Sequence, residues 1–121
     1  MGKYLGIFGD KQDIAKEFSI GVKELDGCDI LLAYYSYEDY SGEAFVLFEK
    51  DGIMYEVNGS HCSCYGLETQ WKPEETCHEA LMFRMEKGEL GVYGSYSNKF
   101  REELQHILCH KYIDEMLTEG E

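Results

Sequence analysis

The sequence predicts an α+β fold: a small antiparallel sheet of about three to four strands, packed by two to three helices. Three observations carry that expectation. Asp51-Gly52 separates two strand-like runs, 43–50 and 53–58. Asp-Gly is a strong hairpin signal, because both central residues of a type I′ turn need φ > 0. Phe100, Leu104, Ile107, Leu108 and Tyr112 recur at helical spacing near the end of the chain. Asp10 with Asp13 three residues on stands close to a capping-box spacing, ahead of an amphipathic stretch.

The elements follow in order. Residues 3–8 have the Tyr, Leu, Ile and Phe content of a short strand, interrupted by Gly6. Residues 11–18 make about two helical turns with Ile14, Ala15 and Phe18 on one face. Asp26-Gly27 marks a turn, and 28–35 reads as a buried strand. Ala44 to Phe48 is apolar on both faces, so that strand belongs at the centre of the sheet. Residues 59–72 read as irregular. Pro73, followed by Glu74 and Glu75, is expected to open a helix that runs to Lys87 and stops at Gly88. Residues 90–96 fit a loop or a short strand, and Ser97 can cap a last helix over about 98–117.

Composition bounds the class. The chain has 121 residues, 44% hydrophobic and 14% aromatic, which suits one domain over 1–121 and excludes a disordered acidic tail. The formal net charge is −13, from 24 acidic and 11 basic residues. That sign argues against direct nucleic-acid binding and against docking on an anionic membrane. It favours a basic protein partner. No run approaches a membrane span, and no signal peptide is visible at the start. Five cysteines, an odd number, argue for reduced thiols in a cytoplasm rather than a disulfide framework.

Two constellations could carry chemistry. His61, Cys62, Cys64, Cys77 and His78 are zinc-type ligands, joined later by His106, Cys109 and His110. Their spacing is poor: the first thiol pair is C-x-C, and Cys77 and His78 diverge by about 100° on a helix. The expectation is therefore no required cofactor, with zinc as the alternative, and solvated histidines with small buried thiols as the plain reading. A nucleophilic Cys62 or Cys64 beside His61 lacks a recognisable orienting partner. No pair of acids stands out for catalysis, so no enzyme is expected. The second constellation is 34–43, where four tyrosines and three acids fall within ten residues. Placed between two strands, it should be largely exposed and suited to an interface. Tyr34, Tyr35, Tyr37, Glu38, Asp39, Tyr40 and Glu43 are its candidate partner-binding residues. Tyr65, Glu68 and Trp71 from the irregular segment join them. That segment either acts in binding or tucks Tyr65, Leu67 and Trp71 under the sheet to cover an edge.

The stretch from Tyr55 through His61-Cys62-Ser63-Cys64-Tyr65-Gly66-Leu67-Glu68 to Gln70-Trp71 and Pro73-Glu74-Glu75 resembles a family of small uncharacterised proteins of tailed bacteriophages and prophages. Leu31 to Tyr34 and Glu43 to Glu49 fit the same pattern, and the likeness spans roughly 1–90. It implies a phage origin and a bacterial cytoplasmic setting, and it transfers no activity to individual residues. Three functions follow in order. The first is a phage accessory protein whose acidic, tyrosine-rich surface blocks a basic site on a host nucleic-acid-processing or defence protein. The second is a structural homo-oligomer that uses the two-sided apolar strand. The third is a metal-binding or thiol-dependent domain at the Cys/His loop.

Overall fold

The computed structural model describes residues 3–38, 41–61, 66–87 and 102–109, with the backbone alone at 36–38, 41 and 61. The chain divides into two units, Met1–Thr76 and Cys77–Glu121.

The first unit holds a five-stranded mixed sheet in the order β1-β2-β3-β4-β5: β1 Lys3–Gly6, β2 Asp29–Glu38, β3 Ser41–Lys50, β4 Ile53–His61 and β5 Glu74–Thr76. The α+β class is as expected. The sheet is larger than expected, and β1 runs parallel to β2, whereas the other pairings are antiparallel. A parallel neighbour needs a crossover. Helix α1, Lys11–Phe18, and a 3-10 turn at Val22–Leu25 supply it.

The start of α1 is closed reciprocally. Asp10 Oδ1 accepts from the Asp13 N–H at 2.9 Å, and Asp13 Oδ2 accepts from the Gly9 N–H at 2.7 Å. Such caps contribute about 1 kcal/mol. The helix ends at Ser19 in the left-handed region, where the Ser19 and Ile20 N–H groups bond to Lys16 and Ala15 carbonyls.

The β3–β4 turn has φ of 55° at Asp51 and 80° at Gly52, as a type I′ hairpin requires. β3 is the central strand, and every residue from Ala44 to Phe48 is buried. One face carries Ala44, Val46 and Phe48. These pack with Ala33 and Tyr35 of β2, Val57 of β4, and Ile14, Ala15 and Phe18 of α1. On the other face Leu32, Tyr34, Phe45 and Leu47 are buried as well, together with Glu56, whose carboxylate accepts from the Asn58 amide at 2.8 Å.

Three expectations need correction. Pro73 does not open a helix: Glu74–Thr76 pairs with Met54–Glu56 as the outer strand β5, and α2 begins later, at His78. The three strand hydrogen-bonding positions outcompete a helical first turn, and a proline just ahead of an edge strand costs no ladder bond. β2 runs past the expected end at Tyr35 to Glu38 and pairs with β3 as far as Ser41, so 36–38 is strand as well. Tyrosine favours a pleated surface, and Tyr34 and Tyr35 are only 4% and 3% exposed. β4 likewise continues through Gly59 and Ser60 to His61, which face Ala44, Glu43 and Gly42.

In the second unit α2, His78–Glu86, buries Leu81 and Met85, and residues 102–109 are helical with Leu104 and Leu108 buried. Leu104 and Leu108 match the predicted stripe, of which Ile107 is half-buried. Phe83 is 57% exposed, with the Lys87 ammonium 5.3 Å from its ring centre. Gly88, 90–96, Ser97, Phe100 and Tyr112 lie outside the described residues.

Gly6 has φ +70°, and a Cβ there would meet the Tyr35 carbonyl oxygen at 2.1 Å. Gly6→Ala is expected to remove about 2–4 kcal/mol of stability. Gly52 has φ +80° but open space around it, so Gly52→Ala is expected to cost about 1–2 kcal/mol. Urea unfolding of both variants checks this, and equal losses would contradict the close approach at Gly6.

Candidate functional site

The segment 66–73 is tied to the sheet by one side chain. Gln70 Oε1 accepts from the Ser60 N–H at 2.9 Å, and Gln70 Nε2 donates to the Ser60 carbonyl at 2.7 Å. This is the two-bond pairing a strand neighbour would make, supplied by a carboxamide beyond the end of β5. Gln70 Nε2 also donates to the Gly66 carbonyl at 2.7 Å, and the Gln70 N–H donates to the Leu67 carbonyl at 3.1 Å. Leu67 is thereby pressed into the core over Gly59, where an added Cβ would stand 3.0 Å from its methyl group.

The next residue, Trp71, completes a continuous row of rings. Tyr35 to Phe8 is 5.4 Å, Phe8 to Phe18 6.2 Å and Phe18 to Trp71 5.2 Å, with Trp71 set edge-on to Phe18. Trp71 to Phe48 is 5.9 Å at 11° between planes, and Phe48 to Tyr55 is 5.3 Å at 24°. All lie in the range where ring pairs attract beyond simple burial.

Beside this row opens a groove of about 450 Å³. Phe48, Tyr55 and Trp71 form its wall, with Cys28 and Pro73 adjoining and Glu24, Lys50 and Asp51 at its polar rim. Glu24, Lys50 and Asp51 are exposed. Burial pushes the Cys28 thiol above its ordinary value of 9.0, and the nearby Lys50 and Lys11 ammonium groups only partly oppose that. A protonated, buried thiol is a poor nucleophile.

Among the described residues, the expected partner-binding residues do not gather into one exposed patch. Tyr34 and Tyr35 are interior, on opposite faces of β2, because successive strand side chains alternate. Tyr37 and Glu38 belong to β2. Glu43 is half-buried on β3, which raises its carboxyl above the ordinary 4.5. Glu68 is exposed and accepts from the Gly66 N–H at 3.1 Å. Trp71 is half-buried in the ring row. Asp39, Tyr40 and Tyr65 lie outside the described residues.

Of the proposed metal ligands, His61 ends β4, Cys77 stands exposed at the N-cap of α2, and His78 is half-buried at its first turn. His106 and Cys109 are exposed on 102–109, while Cys62, Cys64 and His110 lie outside the described residues. Among the described residues no three His, Cys, Asp or Glu side chains gather as a metal site. Sequence reading missed Gln70 and most of the groove. The facing of Phe48 and Tyr55 follows from the two-residue turn, which fixes the register on either side of Asp51-Gly52. The Gln70 contact spans ten residues and has no local signal.

No protein-family model, no curated protein and no solved structure matches the chain.

The thiols should separate by burial. In the folded protein, iodoacetamide at mildly alkaline pH is expected to label Cys77 and Cys109 readily and Cys28 only after unfolding. Peptide mass mapping reads this out, and early labelling of Cys28 would contradict its placement.

Proposed function

We propose that the chain is a phage-encoded accessory binding protein whose acidic surface occupies a basic site on a host nucleic-acid-processing or defence protein. The net charge of −13 on a chain with a packed core is the observation that carries this reading. It exceeds the magnitude of about 2–8 that solubility alone asks of a small domain. Among the described residues the acids are spread along the folded chain. Asp10, Asp26, Asp29, Glu68, Glu74 and Glu75 are all exposed. Carboxylates held at intervals on a rigid surface can stand in for backbone phosphates in a basic channel. The likeness to small phage proteins supplies the setting. The tyrosine contribution is smaller than the sequence suggests, since Tyr34 and Tyr35 are interior. Among the described residues no helix is long and apolar enough to cross a membrane.

The test is affinity capture from bacterial lysate at about 0.1 M and about 1 M salt, where the screening length falls from roughly 10 Å to 3 Å. A partner with a basic site should be retained in the first and released in the second, and nucleic acid should compete for it. Equal retention in strong salt, or no partner, counts against the reading.

A further inference from the structure

We propose that the groove beside the β3–β4 turn seats an arginine side chain of the basic partner. This rests on the binding function proposed above and names the contact that would anchor it.

The wall has the chemistry for a flat cation. Phe48 stacks with Tyr55 at 24° between planes and with Trp71 at 11°. Phe48 is buried, so the half-buried Tyr55 and Trp71 are the rings an occupant would meet. Ring faces are electron-rich and attract cations, and guanidinium is planar enough to stack as well. Two acidic residues line the groove, Asp51 in the type I′ turn and Glu24 in the 3-10 turn. A guanidinium stacked on an accessible ring face can direct its N–H fork to such carboxylates, which an ammonium cannot match in geometry. Glu75 adds a third acid next to Tyr55, its partner across the β4–β5 ladder.

Lys50 decides between occupants of opposite charge. Its stem passes over Gly27, with the ε-carbon 3.6 Å from where a Cβ would sit, and the exposed Lys50 lines the same groove. An anionic occupant would anchor on Lys50 and face Glu24 and Asp51. A cationic occupant would gain from the two acids and be opposed by Lys50. With two acidic residues against one lysine lining the groove of a chain at −13, the balance points to the cation.

Trp71 is the only tryptophan, so its emission reports on the groove directly. The probe is N-acetyl-arginine amide titrated into the full chain. The expected result is a saturable emission change, with N-acetyl-lysine amide binding more weakly. Lys50→Met should tighten arginine binding and Asp51→Asn should weaken it, each by about threefold. Asn-Gly forms the same turn as Asp-Gly, so Asp51→Asn keeps the hairpin. A non-saturable response, equal binding of the lysine probe, or weaker binding to Lys50→Met overturns the proposal. The captured host partner separates the two readings. A partner that binds Asp51→Asn and wild type alike refutes the arginine anchor and leaves the binding function standing. Arginine binding with no host partner leaves the groove chemistry standing and removes the binding function.

Discussion

The Gln70 carboxamide takes both hydrogen-bonding groups of Ser60, where β4 has outrun its outer neighbour β5. An unpaired strand edge at that point would be a template for association. Closing it with a side chain does more than satisfy two polar groups. It sets the path of 66–73, and that path drops Leu67 onto Gly59 and lays Trp71 between Phe18 and Phe48. The third bond of the same amide, to the Gly66 carbonyl, holds the segment's entry and exit together. Each such bond contributes about 1 kcal/mol, and more is lost when a buried partner is left unsatisfied.

The sheet gives this clamp something rigid to hold. β3 is buried on both faces, and its apolar side chains pin the register of β2 and β4, since a one-residue slip would turn each set to the wrong face. On the α1 side the six-ring row from Tyr35 to Tyr55 spans the core. Its last members emerge beside the β3–β4 turn. The groove is thus the exposed end of the core, framed by charged residues from two turns. That continuity explains how aromatic surface comes to sit within an otherwise acidic exterior.

Local signals were legible in the sequence wherever the cause is local. The Asp10 cap, the Asp51-Gly52 turn, the apolar face of α1 and the central place of β3 follow from spacing and residue type. The failures have long-range causes. Pro73-Glu74-Glu75 carries the signature of a helix start, yet pairing with Met54–Glu56 makes it an edge strand. Tyr34 and Tyr35 fall in the expected strand, yet the tyrosine-acid stretch they open reads as exposed, and packing on both faces of the sheet buries their side chains. The reading of 59–72 as irregular left two roles open; 59–61 extend β4, and Leu67 and Trp71 pack against the core. Gln70 was illegible because its partner is set only by the folded sheet.

The account depends on Gln70 placing Trp71. The direct measurement is the emission spectrum of Gln70→Ala, with far-UV circular dichroism to establish that the sheet persists. Loss of the clamp should release Trp71 from Phe18 and Phe48 into water and shift its emission to longer wavelength while the dichroism is retained. A spectrum identical to wild type, with the fold intact, would mean that the rings alone hold the segment and would contradict the central place given to Gln70.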